Sequence, residues 1–214
     1  MHILIRHAQS TANAGSATHD PATIPLTPAG HLQAKHLARV AFPCPVGAVW
    51  SSPYLRALQT ANPTAERYGL PVQELPIHEF TYLCPERCAG TTAAERMKWV
   101  AGYWRRCDPH YVDGPGAESF SMLVGRARDA LCLLEAQRCA GHTLVFSHGQ
   151  LLQMVYWLHG YEGDPVSETG MRAYRSLDQK MPIRHCEGLS VQFTSHAVAT
   201  TVSRWSSRDC GYSG

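Results

Sequence analysis

The sequence predicts a doubly wound α/β fold, and three observations carry that expectation. Short apolar runs fit buried strands, stretches of helical period separate them, and polar clusters of Arg, His, Ser and Asn sit where the runs end. With 214 residues, 44% of them hydrophobic and 17% charged, the chain can bury a sizeable core. One domain spanning 1–214, interrupted by one insertion, is expected.

The elements follow in order. His2 to Ile5 is a short apolar run that suits a strand, and Arg6 to Ser16 then turns polar and small. Leu26-Thr27-Pro28 places a capping hydroxyl ahead of a proline at the first helical position, so a helix is expected from about Pro28 to Ala41. Val46 to Trp50 reads as a second strand ending in Ser51-Ser52-Pro53. A second helix then carries Arg56, Gln59 and Thr60, and Pro63 is expected to kink or restart it. Pro71 to Leu75 reads as a third strand.

Residues from about Phe80 to Pro115 break this rhythm, with a helix expected only from Ala93 to Arg106, and form the expected insertion. Phe120, Leu123, Ala127, Leu131 and Leu134 recur at intervals of three and four, marking a helix from Ala117 to Gln137. Thr143 to Phe146 is a fourth strand leading into Ser147-His148-Gly149, with Leu151, Leu152 and Val155 in the helix after it. Leu189 to Phe193 and Val198 to Val202 look like two last strands joined by a turn.

Composition narrows the function. A formal net charge of +2, scattered along the chain, gives nucleic acid no basic face. A membrane span needs about 18 apolar residues in a row, and none occurs. Met1 leads into the first strand without a basic segment, a longer apolar segment or a cleavage site, so a cytoplasmic location is expected. Eight dispersed cysteines read as reduced thiols. Cys84 and Cys88 lack a matching second pair, and Cys186 beside His185 lacks a partner at finger spacing, so zinc is only an alternative.

In such a sheet, ligands bind beyond the carboxyl ends of the strands. Arg6-His7 and then Asn13 follow the first strand, Ser51-Ser52 and Arg56 the second, and Ser147-His148-Gly149 the fourth. With 16 Arg and 12 His, about one Arg-His pair is expected by chance, and Arg184-His185 is indeed another. Position separates Arg6-His7 from it, at a strand-to-loop junction followed by small residues. Two Arg and two His converging on one crevice would trap a dianion, and phosphate fits because the guanidinium fork matches its oxygens in pairs. Gly149, opening a helix, adds backbone donors.

These residues resemble a known family. Leu4-Ile5-Arg6-His7-Ala8-Gln9-Ser10 with Asn13, Leu26-Thr27-Pro28-Ala29-Gly30 with Gln33-Ala34, Ser51-Ser52-Pro53 with Arg56-Ala57 and Gln59-Thr60-Ala61, and Ser147-His148-Gly149 are similar to the motifs of the histidine phosphatase superfamily, which includes the phosphoglycerate mutases. The match in order and spacing reaches about residue 160. It implies a three-layer α/β/α sandwich with a mostly parallel central sheet. It also implies a phosphoryl transfer to the first-motif histidine followed by hydrolysis, with no metal or other cofactor.

Residue by residue, the resemblance makes His7 the nucleophile, kept neutral by the cations around it. Arg6, Arg56 and His148 would hold the phosphoryl oxygens, with Asn13 and Gly149 donating further. Glu79 would be the proton donor to the leaving oxygen, with Glu118 held in reserve. Asn13 could instead shape a turn, and Thr27 and Gly30 serve capping and packing. Ala8 stands where the family usually has glycine, a costly exchange if that backbone were left-handed. Gln9 and Ser10 replace the usual Glu-Thr.

The expected activity is hydrolysis of a phosphate monoester, on a small molecule or a phosphoprotein. The alternatives are a phosphoglycerate-type mutase and a phosphate-binding module without efficient chemistry. Substrate choice is expected to lie in the segment from Phe80 to Pro115 acting as a lid.

Overall fold

The computed structural model of the protein describes residues 1–214 apart from 41, 43, 44, 138–140, 194–199 and 208–214. Its elements run β1 (His2–Arg6), α1 (Pro28–Ala38), β2 (Val46–Ser51), α2 (Leu55–Tyr68), β3 (Val72–Glu74), α3 (Pro85–Cys88), α4 (Ala93–Arg106), α5 (Phe120–Ala136), β4 (His142–Ser147), α6 (Gly149–Gly160), α7 (Glu168–Lys180), β5 (Gly188–Phe193) and β6 (Thr200–Trp205). The strands form one sheet in the order β3-β2-β4-β1-β5-β6. β1, β2, β3 and β4 pair in parallel, while β5 runs antiparallel to β1 and β6.

Side chains alternate across a strand, and here both faces are buried. Ile3, Ile5, Val49, Leu144 and Phe146 meet Leu37 of α1 and Ala61 and Ala65 of α2 on one face. Leu4, Trp50 and Val145 meet Phe120 and Leu123 of α5 and Leu151 and Val155 of α6 on the other. Helices, sheet and helices therefore make the three expected layers. The segment 80–115 is not loose. Phe80, Tyr82, Tyr103 and Trp104 form an aromatic cluster joined to the second core through Phe120 and Tyr174.

Local chemistry explains most boundaries. Thr27 caps α1 by accepting from the Gly30 N–H at 2.9 Å, Thr92 and Glu95 close a capping box on α4, and Ser119 caps α5 three residues beyond the expected start. Two expectations need correction. α2 runs unbroken through Pro63, because buried Ala61, Thr64 and Ala65 hold the turns around it at the loss of one backbone bond. α7, capped by Ser167 and burying Gly170, Met171 and Tyr174, was not expected from the sequence.

The last strand begins at Thr200 and extends to Trp205, past the expected Val202, because its pairing with β5 continues to Gly188. Residues 198 and 199 of that expectation, and Ala41 of the first helix, lie outside the described residues. Among the described residues no helix is long and apolar enough to cross a membrane.

Gly30 brings α1 against the first loop, since a Cβ there would stand 2.1 Å from the Gln9 carbonyl oxygen. Gly125 in α5 has open space around that position. Gly30→Ala should therefore lose about 1–3 kcal/mol in urea unfolding, whereas Gly125→Ala should be neutral or gain up to about 1 kcal/mol. Equal stability of the two variants would contradict the close approach.

Candidate active site

The sheet register aligns three strand ends. Arg6 lies opposite Ser147, and Ser51 opposite Phe146. The His7 N–H donates to the Ser147 carbonyl and the Ser52 N–H to the Phe146 carbonyl, each at 2.9 Å. His7, His148 and Ser52 thus leave adjacent strands side by side at the carboxyl edge. The His7 and His148 ring centroids are 5.1 Å apart.

The His7 ring is fixed from both sides. Nδ1 lies 2.7 Å from the Ala8 carbonyl oxygen, which can only accept, so Nδ1 carries the hydrogen. Nε2 keeps its lone pair and accepts from Arg56 Nε at 3.2 Å. Burial, then Arg56 and Arg6, hold the imidazole well below its ordinary pKa of 6.5, and the ring is neutral. Arg56 enters from the first turn of α2 and donates from Nη1 to the Pro21 carbonyl at 2.6 Å. Thr60 ties the same helix to the loop, donating to the Arg56 carbonyl at 2.7 Å and accepting from the Ala8 N–H at 3.0 Å.

Ala8 is fully buried against Leu26 and Ala34. Among the described residues other than glycine, only Cys107 and Cys186 have positive φ, so the Ala8 methyl meets no left-handed backbone.

His148 is the N-cap of α6. Its Nε2 lies 2.8 Å from Ser52 Oγ, which also accepts from the Tyr54 N–H at 3.2 Å. Where the Ser52 hydroxyl donates to this Nε2, the ring hydrogen of His148 sits on Nδ1. Among the described residues, neither that Nδ1 nor Nε of Arg6, both buried, has a hydrogen-bond partner. The rest of Arg6 is held by a 2.7 Å bond from Nη1 to the Ile183 carbonyl. Gly149 lets it lie against α6, since a Cβ would approach Arg6 Nε to 3.3 Å. Leaving a buried donor unmade costs about 1–3 kcal/mol. Arg6 Nε, joined by His148 Nδ1 in the tautomer that carries its hydrogen there, suits an anion with several acceptor oxygens beside a neutral imidazole.

The two candidate acids separate clearly. Glu79 Oε1 accepts from the Phe80 N–H at 3.0 Å and from the Gln150 N–H in the first turn of α6 at 3.2 Å. Burial pushes its carboxyl above the usual carboxylate range, against the pull of Arg56 and Arg6. With Arg56, it lines a cavity of about 400 Å³. Glu118 instead commits both oxygens, to Arg126 at 2.9 and 2.7 Å and to the Thr81 N–H at 3.1 Å. Arg126 also donates to the His78 carbonyl at 2.5 Å, so the pair braces the segment that carries Glu79.

Asn13 is exposed, and its Oδ1 accepts from the Ser10 N–H at 3.2 Å and the Ser10 hydroxyl at 2.8 Å. A third partner, His185 Nε2 at 3.2 Å, was not foreseen. The His185 ring lies 6.0 Å from that of His7, and burial followed by Arg6 holds its pKa down to about 4. The sequence reading set the second Arg-His pair aside because only Arg6-His7 sits at a strand-to-loop junction followed by small residues. β5 is antiparallel to β1, so its beginning, with Gly188 opposite Ile5, falls at the same edge. Cys84, Cys88, Cys107, Cys132 and Cys186 are free thiols. No three His, Cys, Asp or Glu side chains gather as a metal site among the described residues.

An edge of this kind defines a phosphate-handling α/β protein. The sequence pattern of the histidine phosphatase superfamily (branch 1) matches residues 2–177, and the chain belongs to that family. No curated protein matches it by sequence. Among solved structures it is similar to alpha-ribazole phosphatase from Shigella flexneri, at 22% identity and TM-score 0.71, covering 97% of this chain and 96% of that one. A mycobacterial glucosyl-3-phosphoglycerate phosphatase with VO3 is similar at 22% identity and TM-score 0.68, covering 95% and 96%. A phosphoserine phosphatase variant from Entamoeba histolytica in complex with phosphoserine is similar at 20% and 0.66, covering 97% of each chain.

The lowered pKa of buried His148 makes a linkage prediction. Its folded value lies below the unfolded 6.5, so the unfolded chain takes up a proton first and stability is lost as pH falls below 6.5. The stability difference between the parent and His148→Gln should shift against the parent by about 1 kcal/mol between pH 6.5 and 5.5, approaching about 1.4 kcal/mol per unit at lower pH. Urea unfolding at pH 6.5 and 5.5 measures it. A constant difference would mean that the folded imidazole takes up its proton as readily as the unfolded one.

Proposed function

We propose that the protein hydrolyses a phosphate monoester through a phosphohistidine at His7. The observation that carries this reading is the neutral His7 ring, hydrogenated at Nδ1 by its bond to the Ala8 carbonyl and with its Nε2 lone pair directed at Arg56, where a phosphoryl group would be met. The Nε2 lone pair attacks phosphorus in line while the bond to the ester oxygen breaks. Arg6, Arg56 and the Nδ1 hydrogen of His148 take the phosphoryl oxygens, with Asn13 Nδ2 and the Gly149 N–H as further donors. Protonated Glu79 gives its proton to the leaving alcohol. As carboxylate it then accepts one from the water that cleaves the phosphohistidine, releasing phosphate and restoring both groups.

Family membership and the phosphatases of similar fold support this reaction class. At 20% to 22% identity those structures support no particular substrate. The two guanidinium groups supply the charge a metal would otherwise bring, so activity should survive excess chelator. The substrate on this reading is a phosphate monoester of a small molecule or a phosphoprotein, met in the cytoplasm.

Three measurements test the roles. His7→Ala should abolish turnover of p-nitrophenyl phosphate, and retained activity would sink the reading. Glu79→Gln should lower turnover of alkyl phosphates by about 10²- to 10⁴-fold, while still releasing one burst of nitrophenolate, whose departure needs no proton. Because the Glu79 pKa is raised above 4.5, kcat/KM for alkyl esters should fall as pH rises through it. That alkaline limb should be missing in Glu79→Gln, and its persistence would assign the acid elsewhere.

A further inference from the structure

The cavity of about 400 Å³ opens from Arg56 and Glu79, the residues assigned above to the phosphoryl group and the leaving oxygen. Whatever fills it is therefore placed as the alcohol half of the ester. Its walls are Ile24 from the first loop, Phe80 and Leu83 after Glu79, and Met97 and Val100 of α4. The volume lies in the range of pockets for drug-sized molecules, about 300–1,000 Å³.

Beyond Arg56, this wall also holds His19 and Arg96, and Arg96 is bonded into the fold through Nε and Nη2. Nε donates to Thr91 Oγ1 at 2.7 Å. Nη2 donates to Thr18 Oγ1 at 2.5 Å, the Cys88 carbonyl at 2.9 Å and the Thr91 carbonyl at 2.6 Å. Arg96 thus clips the first loop to the insertion, where Thr18 also pairs with Thr91 as an isolated bridge. Outside Thr18, His19, Thr81 and Arg96, the wall offers a carboxylate on the alcohol mostly apolar carbon, with Arg56 already engaged by phosphate. An apolar ring or branched chain would exchange water for Phe80, Leu83, Met97 and Val100 at a gain of roughly 25 cal/mol per Å².

Resting on the phosphatase reading, we infer that the substrate is a phosphate monoester of a bulky, uncharged, apolar alcohol, bound in the cavity between Ile24, Phe80 and α4. The insertion then selects by covering apolar surface. Met97 is 62% exposed, large and apolar at the cavity wall, an arrangement that a ligand would bury.

The test compares 2-phenylethyl phosphate with 3-phosphoglycerate, two alkyl esters. Affinities for 2-phenylethylphosphonate and phosphonoacetate, which cannot be hydrolysed, are measured alongside. The expected result is at least a 100-fold higher kcat/KM for the phenylethyl ester, tighter binding of its phosphonate, and a several-fold loss of both preferences in Met97→Lys. Equal or reversed preference with active enzyme overturns the apolar pocket and leaves the phosphatase reading intact. Preferential phosphonate binding without turnover of any ester supports the pocket and overturns the phosphatase reading instead. Equal binding of the two phosphonates without turnover overturns both.

Discussion

The rest of the site depends on keeping one imidazole uncharged at the end of β1. His7 is wedged between the Ala8 carbonyl, which takes its Nδ1 hydrogen, and Arg56, which meets its Nε2. Burial makes a proton on Nε2 unfavourable, and a guanidinium within hydrogen-bond reach adds to the penalty. The cations that suit an incoming phosphoryl group are thus the same ones that preserve the lone pair. Their positions are inherited from the parallel ladder, in which β1, β4 and β2 end level with one another.

Around that centre the fold holds donors and acceptors apart by committing the competing ones. Arg126 occupies Glu118, which leaves Glu79 as the carboxyl beside Arg56. Ser52 takes one nitrogen of His148 and leaves the other buried without a partner. Ile183 anchors one end of Arg6 and leaves Nε unmatched. A buried polar group without a partner costs stability, and an oxyanion bound there would supply one to each.

Much of this architecture is legible in the sequence because strands and capped helices carry local signals. Thr27-Pro28, the apolar run before Arg6-His7 and the period of α5 each point to their element without tertiary information. The convergence of Arg6, His7, Arg56 and His148 is legible for the same reason, since each follows a strand that ends at one edge. His185 was hidden because it precedes an antiparallel strand, and strand direction is decided by pairing and not by composition. The unbroken passage through Pro63 was hidden because tertiary packing overrides weak local preference there. The choice between Glu79 and Glu118 required knowing that Arg126 reaches back one helix turn and more to claim Glu118.

The most direct test of the central claim is to trap the intermediate. The enzyme is mixed with a reactive phosphate ester, quenched in alkali within one turnover, and digested for peptide mapping under conditions that preserve phosphohistidine. One phosphoryl group per chain on the peptide carrying His7, stable to alkali and lost in acid, is the predicted result. Rapid turnover with no label, or with label on another residue, would contradict the account.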